Sequence, residues 1–278
     1  MSAVETLVVP VPGARLHVER RGSGPALLLI AGGGGDAGYY EPLGERLADA
    51  YTVLSYDRRG NSRSALTEPP TALAIAQEAD DALAVAEAAG AHRPLAFGNS
   101  GGAIVALELA ARGSAAVAAV VAHEPPLVEL LPDAAEQRRF YAEVLELFAQ
   151  HGAQVAFKRF ADGVGRVEDP VRDPALLARL AGNWDRFLRW ELEGFVGHRP
   201  DLDRLQGSGV PLALAGGACS RGRRYYRPAV ELARLLGAPF ATFPGHHNAY
   251  LDEPDAFAAA LREQLARLRG QAGGAVSP

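Results

Sequence analysis

The stretch that decides the fold is Leu95-Ala96-Phe97-Gly98-Asn99-Ser100-Gly101-Gly102-Ala103-Ile104-Val105-Ala106-Leu107. A short apolar run ends at Gly98, and a helix-forming run begins at Gly102. The residues between them fit G-x-S-x-G, in which a serine occupies a tight strand-to-helix turn and nearby glycines relieve the crowding. Such a turn exposes the hydroxyl at a helix N-terminus, where backbone N–H groups and the helix dipole stabilise an oxyanion. We predict that Ser100 is a nucleophile; the alternative is a glycine-rich turn with an idle serine.

Strand and helix signals alternate on both sides of this turn. Continuous apolar runs are typical of strands that are buried on both faces, and they occur at 25–30, 51–56, 94–97, 117–122, 210–215 and 239–243. A hairpin is predicted before them, over 5–21. After them comes an amphipathic helix with one apolar face, formed by Phe257, Leu261, Leu265 and Leu268. The alternation predicts an α/β fold, with a mostly parallel central sheet and helices on both of its faces.

The alternation stops between residue 131 and about residue 205. This segment shows no strand signal, and its amphipathic helical stretches hold both tryptophans of the protein, Trp184 and Trp190. We predict a helical cap or lid at 127–205, inserted into an α/β core at 1–126 and 206–270, and a flexible tail at 271–278. Because lids over such sites are usually apolar, Trp184, Phe187 and Trp190 are predicted to face the substrate.

Composition limits the partners and the compartment. A net charge of −5 leaves no basic surplus to neutralise phosphates, so we expect no nucleic-acid partner. A single cysteine, Cys219, excludes an internal disulfide, and without a recognisable metal-ligand spacing we predict neither a metal nor a cofactor. With no signal peptide and no apolar run of about 20 residues, we expect a cytoplasmic protein without a membrane partner. The sequence does not indicate an oligomeric state.

A serine nucleophile needs a base, and the base needs an acid that orients it. In open α/β sheets the functional groups gather at the carboxyl ends of the strands. Of the seven histidines, three stand directly after a strand: His123, His246 and His247. The last two follow the final strand, and this position favours that pair for the base.

At this point the chain resembles the α/β-hydrolase superfamily. The resemblance covers nearly the whole chain outside the helical insertion. It rests on the serine turn, the glycine run at 32–35, the segment Tyr56-Asp57-Arg58-Arg59-Gly60 and the late Pro244-Gly245-His246-His247. Members keep the chain order serine, acid, histidine. Their base usually ends an F-x-G-x-H sequence, which implies that His247 is the base and that His246 is a residue of the pocket wall.

The acid departs from the commonest pattern of the superfamily. That pattern places an aspartate after the seventh strand, where this chain has Cys219. Some members carry the acid after the preceding strand instead, and there this chain has Glu124, within His123-Glu124-Pro125-Pro126. This form resembles the zearalenone-type lactonases, which orient the base with a glutamate at that point. The resemblance implies that Glu124 is the acid; the alternative is a solvated carboxylate at the start of the cap.

The glycine run after the first buried strand has two interpretations. In the superfamily this loop supplies one oxyanion donor, here Gly33 or Gly32, beside the N–H of Gly101. The same run contains Gly33-x-Gly35-x-x-Gly38, a dinucleotide-binding fingerprint that is completed by Asp57 at the end of the next strand. The preceding hairpin, the serine turn and the late histidine favour the hydrolase, with Asp57 as a structural residue, over an NAD-binding oxidoreductase.

The sequence thus predicts a serine hydrolase that cleaves a carboxylic ester or lactone of a bulky apolar small molecule through an acyl-enzyme. Two other classes stay open. One is a non-hydrolytic enzyme with the same residues, such as a lyase, a cofactor-free peroxidase or a tailoring cyclase. The other is a protein that binds a small apolar ligand without converting it.

Overall fold

One mixed sheet organises the protein. The computed structural model describes residues 4–164 and 173–274, with side chains described as far as Gly270. Nine strands form the sheet: β1 Glu5–Val11, β2 Ala14–Arg21, β3 Ala26–Ile30, β4 Thr52–Tyr56, β5 Ala65–Leu66, β6 Leu95–Asn99, β7 Ala119–His123, β8 Leu212–Gly217 and β9 Phe240–Phe243. The order is β1-β2-β4-β3-β6-β7-β8-β9, with β5 beside β2. The β1–β2 hairpin and the β2–β4 pair are antiparallel. The remaining neighbours in the order, β4-β3-β6-β7-β8-β9, are parallel. The predicted α/β architecture is therefore confirmed.

Helices cover both faces of the sheet. They are α1 Glu41–Leu47, α2 Ile75–Ala88, α3 Gly101–Ala111, α4 Ala134–His151, α5 Ala153–Gly163, α6 Pro174–Arg186, α7 Leu192–Val196, α8 Leu202–Gly207, α9 Tyr226–Leu236, α10 Ala249–Asp252 and α11 Pro254–Gly274. One face packs against α2, α3 and α9, and the other against α1 and α11. The predicted apolar face of the last helix is fully buried there, through Phe257, Leu261, Leu265 and Leu268.

The chain leaves the sheet between β7 and β8. The described residues of this part, 128–164 and 173–207, contain helices and no strand, and we call α4 to α8 the cap helices. A π-helical turn at Phe187–Glu191 joins α6 to α7. Helix α11 continues to Gly274, so residues 271–274 of the predicted tail are helical, and 275–278 lie outside the described residues. Within the described ranges, no helix combines the length and the apolarity that a bilayer crossing requires.

The parallel strands bring the candidate site residues to one edge of the sheet. Asn99, which ends β6, pairs in register with His123, which ends β7, and His123 pairs with Ala215 of β8. Gly217 at the end of β8 pairs with Phe243 at the end of β9. The turns that follow these strands are therefore neighbours, although they are far apart in the sequence.

A buried carboxylate lies below this edge, on α2. Glu78 is 1% exposed, and neither of its carboxylate oxygens accepts a hydrogen bond from the described residues. Its nearest cation is Arg58, with Nη1 3.3 Å from Oε2. Burial raises the pKa of Glu78 to about 7, and the charges of Glu191 and Asp81 act in the same direction, against the attraction of Arg58.

We expect Glu78→Gln to stabilise the protein at pH 8 and to change its stability little at pH 4. The pKa of this carboxyl is higher in the folded than in the unfolded chain, so wild-type stability falls as the pH rises from about 4.5 to about 7. The neutral amide avoids that loss, which is on the order of 3 kcal/mol. Thermal unfolding of wild type and of Glu78→Gln at pH 4 and pH 8 measures the difference in stability. A variant that is less stable than wild type at pH 8 would contradict the prediction.

Candidate active site

Ser100 stands on a strained turn between β6 and α3. Its backbone has φ 56° and ψ −127°, a conformation that non-glycine residues rarely adopt. A Cβ atom on Gly98 would stand 2.1 Å from the carbonyl oxygen of Gly102, and one on Gly102 would stand 2.0 Å from that of Ile30. Both distances are far below contact, so the two flanking glycines of the motif are sterically required. Strain of this kind persists only where the surroundings enforce it, and it is common at active sites.

Glu124 occupies the equivalent turn after β7. It is 1% exposed and also has a positive φ, of 48°. Its Oε1 accepts a hydrogen bond from the N–H of Gly217 at 2.8 Å, and its Oε2 lies 2.6 Å from Nδ1 of His247. The predicted acid and the predicted base are thus in direct contact, and Gly217, the last residue of β8, supplies a backbone donor two residues before Cys219. Cys219 is exposed.

The electrostatics of this pair keep the carboxylate ionised. Burial alone would raise the pKa of Glu124, but the hydrogen bonds from His247 and Gly217 and the electrostatic interaction with the rings of His123 and His247 lower it to about 2. An ionised carboxylate accepts a proton-bearing Nδ1, so the neutral ring of His247 carries its hydrogen there and leaves Nε2 as a free base. That nitrogen is the one that a general base would use.

The three candidate histidines have different surroundings. His247 is half-buried and lines a cavity that Ser100 also lines. His246 lines the same cavity, and its Nε2 lies 2.9 Å from Asp252. His123 is fully buried; its Nδ1 lies 2.7 Å from Oδ1 of Asn99, and burial lowers its pKa to about 4. His123 is therefore neutral and does not line the cavity.

The glycine loop after β3 borders the same cavity. Gly32, Gly33 and Gly101 all line it, and a Cβ on Gly32 would stand 2.8 Å from the Cβ of Ser100. Asp57, the acidic residue of the alternative dinucleotide fingerprint, is fully buried. Its carboxylate accepts hydrogen bonds from the N–H of Ala37 at 2.7 Å and from Nε of Arg63 at 2.7 Å. These bonds give Asp57 a structural role, as the hydrolase interpretation predicts.

The cavity is predominantly apolar, with seven Phe and Tyr rings among its described lining residues, and has a volume of about 870 Å³ including its mouth. Among the described residues that line it, none is Asp, Glu, Lys or Arg. Its aromatic lining consists of Tyr39, Phe157, Phe160, Phe187, Phe195, Tyr225 and Tyr250. Asn99, Asn248, Ser100, His246 and His247 supply the polar side chains.

The structure corrects the predicted substrate contacts of the cap. Phe187 lines the cavity, but Trp184 and Trp190 do not. Trp184 stacks on Phe157, with ring centroids 4.6 Å apart, and so forms a layer behind it. Trp190 lies in the π-helical turn, which holds more residues than an α-helical turn. On an α-helix, residues three apart such as Phe187 and Trp190 lie on the same side. In the wider π-helical turn they do not, so Trp190 points to another side than Phe187.

Other lining residues were missed, and some of them had a signal. Tyr39 and Tyr250 lie in the connections that follow β3 and β9, at the edge of the sheet where functional groups gather, so their position pointed to the site. Phe195 lies four residues after Glu191, and its ring lies against Gly101 and Arg58, contacts that no local sequence pattern indicates. The contact between Asn99 and His123 joins residues at the ends of neighbouring strands.

The ligand atoms of His123, Glu124 and His247 lie within 4.8 Å of one another, a separation that could hold a metal ion. Glu124 and His247 share a hydrogen bond, and Nδ1 of His123 is paired with Asn99, whereas Nε2 of His123 is buried without a hydrogen-bond partner among the described residues. The hydrogen bond between Glu124 and His247 is the arrangement that the structure shows, and the absence of a metal stays a prediction.

Known proteins of similar sequence and structure agree with the fold described above. Residues 27–260 match the model of the alpha/beta hydrolase family. The uncharacterized hydrolase YraK of Bacillus subtilis (strain 168) is 34% identical over 270 residues, which are 92% of this chain and 94% of that protein. An alpha/beta hydrolase from Sphaerobacter thermophilus DSM 20745 is 28% identical, with a TM-score of 0.71 and coverage of 94% and 100%. A thermophilic esterase from Thermogutta terrifontis shares the fold, with a TM-score of 0.74, 20% identity and coverage of 95% and 99%. The family-model match over residues 27–260 and the 34% identity to YraK over 94% of that protein show that this chain belongs to the alpha/beta hydrolase family.

Proposed function

We propose that the protein is a serine hydrolase that cleaves carboxylic esters or lactones of uncharged, largely apolar small molecules. The observation that carries the proposal is a single cavity lined by Ser100, on a strained turn, and by His247, whose Nδ1 is 2.6 Å from the buried Glu124. A nucleophile, a base and an orienting acid are the three groups that acyl transfer through a serine needs.

In the proposed reaction, His247 Nε2 removes the proton of the Ser100 hydroxyl as Oγ attacks the carbonyl carbon. The imidazolium that forms is stabilised by the ionised Glu124 and then gives its proton to the leaving alcohol. Water, activated by the same histidine, attacks the acyl-enzyme and releases the acid. For a lactone, the leaving alcohol stays attached to the acyl chain, so the product is a single hydroxy acid.

The developing oxyanion needs two donors. We assign the first to the N–H of Gly101, the first residue of α3, where the helix dipole adds a positive potential. The second is the N–H of Gly33, with Gly32 as the alternative, since both border the cavity. Preorganised donors of this kind are usually the largest single contribution to such catalysis.

The lining of the cavity supports the proposed substrate class. Aromatic rings favour a bulky apolar group, and the described lining offers no cation to pair with a substrate carboxylate. Transfer of an ionised substrate into this cavity would carry a desolvation penalty without compensation. We therefore expect neutral esters and lactones to be preferred over their carboxylate-bearing analogues.

The proposal is tested with the purified protein and two probes. A fluorophosphonate reports a reactive serine, and a panel of p-nitrophenyl esters beside aromatic macrolactones reports turnover. We expect labelling on the tryptic peptide that contains Ser100 and, for at least one ester or lactone, products that have gained one water by mass spectrometry.

Each alternative gives a different result in this experiment. Conversion of a probe without gain of water would favour non-hydrolytic chemistry. Saturable binding of an apolar probe without labelling or turnover would favour a binding protein. Either outcome would contradict the proposed function.

A further inference from the structure

Glu191 is a buried carboxylate of the cap with three partners. It is 1% exposed and ends the π-helical turn at Phe187–Glu191. It accepts hydrogen bonds from Nη2 of Arg58, from Nδ2 of Asn61 at 2.9 Å and from Nε of Arg186 at 3.1 Å. Arg58 and Asn61 belong to the loop after β4, so this carboxylate attaches the cap to the core of the protein.

Arg58 extends the connection to the loop after β3. Its side chain is fully buried, and Nε and Nη2 donate to the carbonyl oxygen of Gly32 at 3.2 and 3.0 Å. Gly32 borders the serine turn and precedes Gly33. One guanidinium therefore holds both the cap, through Glu191, and the loop to which we assign an oxyanion donor.

Two aromatic rings of the cap complete the contact. Phe187 and Phe195 lie four residues before and four residues after Glu191. A Cβ on Gly33 would stand 2.7 Å from the ring of Phe187, and a Cβ on Gly101 would stand 2.7 Å from the ring of Phe195. The ring of Phe195 also lies under the guanidinium of Arg58, whose Cζ is 5.1 Å from its centroid. Each of the two backbone segments with an assigned oxyanion donor is thus covered by one ring.

The type of interaction indicates a positional role. A buried ion pair is often no more stabilising than apolar residues of similar volume, but it has strict geometric requirements. Single π-helical turns are rare and are frequent at functional sites. Here the π turn and the ion pair occur together, at the point where the cap touches the glycine loop.

We infer that Glu191 is a positioning residue, which acts through Arg58 to hold Phe187 and Phe195 against Gly33 and Gly101 and so fixes the two oxyanion donors. The inference rests on the proposed function, because the donors matter only if an oxyanion forms. It assigns the cap a part in transition-state stabilisation in addition to covering the cavity.

The test compares Glu191→Gln with Glu193→Gln, a matched change at an exposed glutamate two residues further along, in α7. Glutamine at position 191 is a weaker partner for Arg58 than glutamate. A second variant, Arg58→Lys, tests the same contact from the side of Arg58. Lysine keeps the positive charge but lacks the fork that binds Gly32 and Glu191 together. Thermal unfolding identifies the variants that are folded at the assay temperature.

Two readouts separate positioning from a purely structural role. For Glu191→Gln and Arg58→Lys we expect kcat to fall about 10- to 100-fold with KM within about threefold, because the lost interaction acts in the transition state. We also expect faster hydrogen exchange in peptides that cover 31–35 and 99–104. For Glu193→Gln, both readouts should match wild type.

Unchanged kcat and unchanged exchange in folded Glu191→Gln and Arg58→Lys would overturn the inference, and so would a rise in KM at constant kcat. Failure of the proposed function looks different: wild type itself would then show neither labelling of Ser100 nor hydrolysis. That result would overturn the inference as well. Unchanged kcat and exchange, or a rise in KM alone, would overturn the inference but leave the proposed function intact.

Discussion

Replacement of Ser100 by alanine is expected to lower ester or lactone turnover by about 10⁴- to 10⁶-fold and to abolish labelling by a fluorophosphonate. The hydroxyl is the only group removed, and the substitution leaves the cavity and the pairing of Glu124 with His247 in place. The measurement is kcat on the best substrate of the ester and lactone panel, with the labelled protein quantified in parallel. Ser114→Ala, at an exposed serine after α3, is the control and should behave as wild type.

A second substitution at the same position uses the backbone strain. Ser100 has a positive φ, which glycine adopts without the steric penalty of a side chain. We therefore expect Ser100→Gly to be as inactive as Ser100→Ala but more stable than it, by about 1 kcal/mol. Thermal unfolding of the two variants measures the difference. Substantial turnover by either variant would exclude Ser100 as the nucleophile.

Glu124→Gln is expected to lower kcat by about 10³- to 10⁴-fold, as loss of the correct histidine tautomer does in serine proteases. The glutamine oxygen can still accept the N–H of Gly217, but its amide group donates to Nδ1 of His247. That bond favours the tautomer with hydrogen on Nε2, which cannot accept the proton of Ser100. The measurement is kcat on the same substrate, with near-ultraviolet circular dichroism to confirm that the variant is folded.

The second carboxylate–histidine contact of the site provides the control. Asp252 lies 2.9 Å from Nε2 of His246, and nothing in the proposed reaction uses it. Asp252→Asn should therefore keep kcat within about threefold of wild type. If Glu124→Gln is no slower than Asp252→Asn, Glu124 is not the acid that orients the base.

The sheet was predictable because its central strands are buried on both faces. Such strands appear in the sequence as continuous apolar runs, as in Leu27–Ile30, and the turns that interrupt them carry glycine or proline. The serine turn could be located because a side chain two residues before or after Ser100 would clash with the backbone. Both positions are therefore glycine, and the pair is visible in the sequence. The carboxyl ends of parallel strands then limited the search for partners to a few positions, among them Glu124 and His247.

The cap could be predicted as helical, but the side chains that it directs into the cavity could not. Which face of a helix points inward depends on its rotation, and a single π turn is enough to separate Trp190 from Phe187. The contacts of Glu191 with Arg58 and Asn61 span more than a hundred residues, and no local pattern indicates them. The position of a buried ion pair of this kind follows from tertiary packing alone.

The placement of Glu124 limits how this protein could be recombined with its relatives. Glu124 and Pro126, which lines the cavity, lie within one short segment between β7 and the cap helices. A chimera that exchanges the cap must therefore join the two parents after Pro126, so that the recipient keeps its own carboxylate and its own cavity wall. The opposite junction, between α8 and β8, contributes no residue to the cavity lining and tolerates a wider choice of crossover points. A donor cap must also bring its own counterpart of Glu191, or the guanidinium of Arg58 loses its carboxylate partner from the cap and keeps Glu78 and the carbonyl oxygen of Gly32.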